Sequence, residues 1–284
     1  MGTFAVSGAA SGIGAACAAR LAAGGHRVVG VDRHTGVHVS VLADLGQRDG
    51  RRSATLAVSE ASEGRLAGLV TCAGLAGLPS RPGSVLASVN YFGTVALLEG
   101  LRPALAGGGA AVAISSNSAT IQPGIPPAVV AACLAGDEAA ARALADEAGS
   151  VAAYPATKLA VAHWVRTHAP SAGWAGAGIR LNAVAPGMVE TPLVAEGRGD
   201  PEMAPLLAML PLPVGRPGRP EEIAALVDLL LGPDGGFFCG SVLYVDGGTD
   251  ALLRPTDWPA AWTPDPRAAA GTPGDPPPDA SRPT

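Results

Sequence analysis

The sequence predicts one α/β domain, a doubly wound sheet of seven parallel strands, and three observations carry that expectation. A short apolar strand at residues 3–7 runs straight into Gly8-Ala9-Ala10-Ser11-Gly12-Ile13-Gly14, then a helical stretch, then a second apolar strand that ends in Asp32. Strand, glycine turn, helix and strand form one crossover unit, and such a connection joins parallel strands. Short runs rich in valine, isoleucine, leucine and alanine then recur between helical stretches, the pattern of strands buried on both faces. The third observation is Lys158, the one lysine among 19 lysine and arginine residues, which follows Tyr154 by four positions. On a helix that spacing puts both side chains on one face, about a turn apart.

Bulk properties narrow the function classes. With 284 residues and 48% hydrophobic content, the chain has enough apolar area for a sizeable core. Its net charge of −5 offers no basic stripe for nucleic acid and no polybasic patch for a membrane surface. No uninterrupted apolar run approaches the ~18 residues that cross a bilayer. The N-terminus lacks the basic and apolar regions of a signal peptide, and Val6 stands where a myristoylation motif needs serine or threonine. Cys17, Cys72, Cys133 and Cys239 are scattered, with no histidine at ligand spacing. A cytoplasmic, metal-free protein with reduced, mostly buried cysteines is expected.

The elements follow in order. Residues 15–23 read as a helix closed by Gly24-Gly25, and Arg27 to Val31 as the second strand. The glycines of the preceding turn let the backbone approach a pyrophosphate, and the helix start supplies amide donors and a positive dipole end. Asp32, eighteen residues past Gly14, can accept hydrogen bonds from both ribose hydroxyls of an adenosine. Its charge repels a 2′-phosphate, which favours NAD(H) over NADP(H); Arg33 beside it weakens the preference. Val37 to Asp44 reads as the third strand, Arg48 to Glu63 as a helix and Leu66 to Thr71 as the fourth strand, running into Cys72-Ala73-Gly74. The stretch from Gly74 to Asn90 is short for a full helix, and Val89 opens a long one to about Leu105. Ala110 to Ile114 is the fifth strand, ending in Ser115-Ser116.

Residues 121–149 form an excess before Tyr154: a lead with Pro123, Pro126 and Pro127, then helical pieces near 128–134 and 137–147. Asp137 can cap the second piece, and Glu138 and Arg142 stand at ion-pair spacing. Tyr154 to about His168 is a helix, Ile179 to Val184 the sixth strand, followed by Pro186-Gly187-Met188-Val189-Glu190-Thr191-Pro192. Residues 193–214, with Met203, Leu206, Leu207, Met209 and Leu210, read as an apolar lid or as a surface helix pair with one greasy side. Pro220 to Leu231 is a helix and Ser241 to Val245 the seventh strand, ending in Asp246-Gly247-Gly248. Residues 257–284 hold eight prolines and almost no aliphatic residues, so a disordered tail is expected, with Trp258 and Trp262 able to tack its start to the body.

An ammonium beside a phenol favours phenolate and lowers its pKa from roughly 10. Such a tyrosine can exchange a proton with a hydroxyl near neutral pH. The turn G-x-x-x-G-x-G, Asp32, Ala73-Gly74, Asn90, Ser116, Tyr154-x-x-x-Lys158, Pro186-Gly187 and Asp246-Gly247-Gly248, in that order, resemble the classical short-chain dehydrogenases/reductases over residues 3–250. Within that family the helical insertion, the short stretch before Val89-Asn90-Tyr91-Phe92-Gly93, Cys72-Ala73-Gly74 and Arg254-Pro255-Thr256 resemble the bacterial 3α-hydroxysteroid dehydrogenase/carbonyl reductases.

The resemblance implies a Rossmann-type fold and a catalytic set of Ser116, Tyr154, Lys158 and Asn90. Tyr154 would act as general acid and base, Lys158 would lower its pKa and bind the nicotinamide ribose, and Ser116 would orient the substrate oxygen. Asn90 would bend its helix and hold a water leading to the lysine; a plain kink asparagine is the alternative. The cofactor would meet Gly8, Ser11, Gly12, Ile13 and Gly14 at its pyrophosphate, Asp32 at the ribose, and Asp44 and Leu45 at the adenine. Cys72, Ala73 and Gly74 at the fourth strand, Tyr154 and Lys158 would also contact it, with Pro186, Gly187, Val189 and Thr191 at the nicotinamide. Cys72 departs from the family's asparagine, and Ser116 lies 38 residues before Tyr154, where about a dozen is usual. The implied reaction interconverts a secondary alcohol and a ketone on a small apolar substrate, steroid-like or another hydrophobic carbonyl compound. An aryl-alcohol dehydrogenase, a tailoring reductase or epimerase, or a non-catalytic NAD-binding regulator are the alternatives. Members of the family assemble, and an insertion beside the assembly face favours a homodimer over a tetramer.

Overall fold

The computed structural model describes residues 1–105, 107–258 and 261. Its elements are β1 (Thr3–Ser7), α1 (Gly12–Ala23), β2 (Arg27–Asp32), β3 (Val39–Leu42), α2 (Arg48–Ala61), β4 (Gly68–Thr71), α3 (Gly83–Leu86), a π-helical segment (Ala87–Gly93) and α4 (Thr94–Leu101). Next come β5 (Ala110–Ile114), α5 (Ser118–Ile121), α6 (Pro127–Leu134), α7 (Glu138–Ala148), α8 (Ser150–His168) and β6 (Arg180–Pro186). The chain continues with α9 (Pro192–Gly199), α10 (Met203–Ala208), α11 (Pro220–Leu231), β7 (Val242–Val245) and α12 (Thr249–Leu253). The seven strands form one parallel sheet in the order β3-β2-β1-β4-β5-β6-β7. Strand order reverses between β1 and β4, so a crevice opens at the carboxyl ends of these two strands, where ligands bind in sheets of this kind.

Alternation along the strands explains the two layers. Phe4 and Val6 of β1 point to one face, against Cys17, Ala18 and Leu21 of α1 and Ile223, Val227 and Leu230 of α11. Ala5 points to the other face, where Ala54 and Val58 of α2, Leu97 and Leu101 of α4, and Ala156, Ala160 and Trp164 of α8 complete the larger core. A period of two in each strand thus feeds two separate apolar clusters.

Several boundaries differ from expectation. The third strand is confined to Val39–Leu42, because it is the sheet edge and Val37 is 96% exposed. The fourth begins at Gly68, and the sixth runs from Arg180 through Pro186. The helix expected from Val89 starts at Gly83 and passes through the π-helical turn that holds Asn90. This continuous helix, Gly83–Leu105, is long and apolar enough to cross a membrane, but 67% of its most apolar window is buried in the molecule. Cys239 is exposed rather than buried.

The insertion does not loop away. Helix α7 packs against α3 so closely that a Cβ on Gly83 would lie 1.9 Å from the Ala145 carbonyl oxygen. Asp137 caps α7 by accepting from the Ala140 amide at 3.0 Å, as expected. Glu138 does not pair with Arg142. It turns inward to Arg51 at 2.6 Å and Arg48 at 3.1 Å, while Arg142 bonds the Ser88 hydroxyl and the Ser84 carbonyl. The inward choice keeps a buried carboxylate between two cations, where an exposed pair on one helix would gain little. The proline-rich tail and Trp262 lie outside the described residues; Trp258 is 45% exposed.

Candidate active site

The expected dinucleotide residues line one cleft of about 490 Å³ at the strand ends, from Gly8 and Asp32 to Pro186 and Thr191. Its floor is built from the glycine turn. Gly8 has φ +71°, and a Cβ there would sit 2.8 Å from the Ala73 amide nitrogen. A Cβ on Gly14 would lie 2.1 Å from the Gly8 carbonyl oxygen, so any larger residue would break the turn. Helix α1 starts at Gly12, and its N-cap Ser11 makes no side-chain capping bond. First-turn amides without a side-chain cap are donors suited to a pyrophosphate.

Asp32 closes β2 with its carboxylate pinned by the Ala10 and His34 amides, each at 3.0 Å. Arg33 is exposed and donates to the His34 ring at 3.0 Å. Asp44 and Leu45 line the cleft beyond Asp32, with Asp44 accepting from the Gly46 amide at 2.9 Å. Cys72, Ala73 and Gly74 follow β4, and the Ala73 amide is held by Ser7 Oγ at 3.2 Å. Glycines that a Cβ would block, uncapped amides and an oriented carboxylate fit a dinucleotide.

The catalytic expectation converges on the same cleft. Ser116 follows β5, Tyr154 and Lys158 lie in the first half of α8, and all three line the cleft despite the intervening 38 residues. Lys158 is 5% exposed; its Nζ donates to the Ile114 carbonyl at 3.0 Å and stands 6.0 Å from the centre of the Tyr154 ring. Ser115 Oγ donates to the Lys158 carbonyl at 2.8 Å, tying the strand end to the helix a second time. Burial pushes the Lys158 ammonium down to about 8. Burial also pushes the Tyr154 phenol above its ordinary value, and the Ser116 hydroxyl pulls it the other way. The direction is thus opposite to the lowering expected from Lys158, because desolvation dominates; one of the three Lys158 donors meets the Ile114 carbonyl. Cys72 is also raised, first by its hydrogen bond with Cys17 and then by burial.

Asn90 lies outside the cleft lining and is 0% exposed. Its Oδ1 accepts from the Leu75 amide at 2.8 Å and its Nδ2 donates to the Leu75 carbonyl at 3.1 Å. The π-helical segment Ala87–Gly93 carries this side chain to the loop after β4. Gly74 sits between the two groups: a Cβ there would lie 3.4 Å from both Asn90 Oδ1 and Lys158 Nζ.

Sequence reasoning missed the residues that hold this set in place. Pro155 sits inside α8 and cannot donate to the Val151 carbonyl; Gln122, from the insertion's lead, donates to it instead at 3.1 Å. Thr157 Oγ1 donates to the Tyr154 carbonyl at 2.7 Å. Asn117, next to Ser116, donates to Asp246 at 3.2 Å, and a Cβ on Gly187 would press on Asp246 at 2.6 Å. Asp246 thus joins the serine loop to the Pro186-Gly187 loop. Pro155 was a local signal for a replacement donor, and Thr157 lies three residues from Tyr154; the contacts of Asn117 and Gly187 with Asp246 span long sequence separations and leave no local trace.

Thr191 caps α9, accepting from the Val194 amide at 3.3 Å. A Cβ on Gly12 would lie 3.2 Å from its methyl group, so α9 begins directly beside the glycine turn. Of the two readings of residues 193–214, the structure has short helices α9 and α10. Leu193, Val194 and Glu196 line the cleft, whereas Leu206 and Met209 are 51% and 80% exposed.

Comparisons with known proteins agree with this geometry. A family model described as NAD dependent epimerase/dehydratase matches residues 4–192, and one described as enoyl-(acyl carrier protein) reductase matches residues 148–250. The chain is 39% identical over 263 residues to the 3-alpha-hydroxysteroid dehydrogenase/carbonyl reductase of Comamonas testosteroni, covering 91% of this chain and 100% of that protein. It is 32% identical over 268 residues to the short-chain reductase protein NovJ of Streptomyces niveus, covering 86% and 92%. The crystal structure of the 3-alpha-hydroxysteroid dehydrogenase from Pseudomonas sp. B-0831 complexed with NADH superposes with a TM-score of 0.85 at 43% identity, over 90% of this chain and 100% of that one. Full-length identity to such relatives, on top of a cleft shaped for a dinucleotide, places this chain in the short-chain dehydrogenase/reductase family, as an NAD(P)-dependent oxidoreductase acting on CH–OH groups.

Proposed function

We propose that the chain interconverts a secondary alcohol and a ketone on an apolar, steroid-like or similarly hydrophobic substrate, with NAD(H) preferred over NADP(H). The observation that carries this reading is the convergence of Tyr154, Ser116 and Lys158 under a wall of Leu75, Ala76, Leu193 and Val194. A hydroxyl or carbonyl oxygen seated between Tyr154 and Ser116 would leave the rest of the substrate against those apolar side chains. Tyr154 takes the proton in alcohol oxidation and returns it in ketone reduction. Ser116 orients the oxygen and shares the charge that builds on it. Lys158, held by Ile114, keeps a positive charge beside the phenol and toward the ribose. A bound nicotinamide supplies the hydride acceptor or donor. Asp32 favours free ribose hydroxyls over a 2′-phosphate by charge repulsion.

A substrate panel of steroid, aryl and aliphatic alcohols and ketones, followed by NADH absorbance with both cofactors, tests the proposal. Turnover confined to apolar secondary alcohols and ketones, faster with NAD(H), is expected. Turnover of polar polyols alone, or a preference for NADP(H), would overturn the substrate and cofactor assignments respectively. NADH binding with no turnover of any member would favour a non-catalytic NAD-binding regulator.

A further inference from the structure

One ion pair of the structure crosses the mouth of the cleft. Arg81 lies in the loop between β4 and α3, where its guanidinium donates to the carbonyl of Ala76, a cleft-wall residue. From there it reaches Glu196 of α9 at 2.7 Å. Glu196 also lines the cleft, so the pair ties the wall after β4 to the helix that starts directly after the Pro186–Thr191 loop. Among the described residues, the other ion pair that a lid residue makes is Arg198 with Glu190, which lies within that loop and α9 and bridges nothing across the cleft.

We propose that Arg81 and Glu196 are positioning residues for the reaction: their ion pair latches α9 over the bound cofactor and substrate, and its opening sets how fast they leave. This rests on the reading of the cleft as a dinucleotide and alcohol site. The chemistry suits a latch. Arg81 is held in place by its bond to Ala76 and has 17% of its side chain exposed, whereas Glu196 has 47% exposed. A pair with one anchored, shielded partner and one hydrated partner opens by moving the hydrated one. Half-exposed pairs bias an opening equilibrium by roughly two- to fivefold, enough to favour the closed lid and weak enough to let it open on every turnover. A fully buried pair could not release so readily.

The test compares wild type, Glu196→Gln and the exchanged pair Arg81→Glu/Glu196→Arg. Two measurements are made on each suitable form. The first is NADH dissociation by stopped-flow displacement. The second is the rate of tryptic cleavage after Arg198, identified by mass spectrometry, in wild type and Glu196→Gln without cofactor. Glu196→Gln is expected to speed both about two- to fivefold, and the charge exchange to return NADH release toward the wild-type rate. In about 1 M salt the difference between wild type and Glu196→Gln should collapse, because screening weakens the wild-type pair alone. Equal cleavage rates in wild type and Glu196→Gln at low salt overturn the latch. So does faster NADH release that the exchange leaves uncorrected. If NADH fails to bind any form, the cofactor reading falls, and the tryptic comparison still decides whether the pair holds α9 down.

Discussion

Tyr154 and Lys158 show how much a single spacing can say and where it stops. Their four-residue separation on α8 was readable from the chain, and the structure adds that Lys158 is bound by the Ile114 carbonyl at 3.0 Å. That contact accepts one compact ammonium donor, and a planar guanidinium fork would not reproduce it. Lys158→Arg is therefore expected to lower kcat with its charge retained, and Tyr154→Phe to lower kcat at least about a hundredfold. Tyr154→Phe should leave NADH binding nearly intact, as checked by steady-state kinetics beside fluorescence titration. Asp32 makes a second residue-scale case. Its carboxylate is oriented by the Ala10 and His34 amides, so Asp32→Asn keeps much of the shape and removes the charge. The ratio of kcat/KM for NADP(H) to that for NAD(H) should rise at least about tenfold, equal to roughly 1.4 kcal/mol. An unchanged ratio would place discrimination elsewhere.

At the scale of elements, the insertion α6–α7 is part of the site's support. Glu138 on α7 is 8% exposed and binds Arg51, Arg48 and, at 3.2 Å, Ser88 of the π-helical turn that carries Asn90. Burial pushes the Glu138 carboxyl up, but the bonds from Arg51, Arg48 and Ser88 outweigh it and hold it below the usual carboxylate range. A depressed pKa means the folded state binds the proton less well than the unfolded chain. The clamp then stabilises the fold above the unfolded value, roughly 4.3, and is lost as pH falls through the folded value. Wild type should therefore lose thermal stability on acidification below that point, and Glu138→Gln should lose less over the same interval. At neutral pH, Arg51→Ala should cost about 3 kcal/mol in denaturant unfolding, because Glu138 is left with one exposed cation and the neutral Ser88 hydroxyl. The same insertion supplies Gln122, which fills the hydrogen bond that Pro155 leaves open one residue from Tyr154.

At the scale of the molecule, α6 and α7 cover the flank of α8 and α3, through contacts such as that of Gly83 with Ala145. The helix bearing Tyr154 is thereby withdrawn from one side of the surface, which favours assembly through a single remaining face. A mass of two chains in light scattering after size exclusion is the expected outcome; four chains would show that the insertion does not block the second contact. The two apolar clusters on either side of the sheet divide the labour in a related way. The side with α1 and α11 backs the glycine turn, and the side with α4 and α8 carries Tyr154 and Lys158.

What the chain determined by itself was local. Glycine at positions 8, 12 and 14, the short continuous apolar runs, Asp32 at a strand end and the Tyr154–Lys158 spacing each follow from backbone sterics, burial or helical geometry, so they announced the sheet, the glycine turn and the shared helix face of Tyr154 and Lys158. Strand ends were less legible, as at Val37, because edge pairing depends on a neighbour that the strand's own residues do not name. Tertiary structure alone decided that Glu138 pairs with Arg51 instead of Arg142, that burial raises Tyr154 against the opposing pull of Ser116, and that Arg81 meets Glu196 across the cleft. Those outcomes turn on desolvation and on contacts between residues up to 115 positions apart, and neither is written in any local pattern.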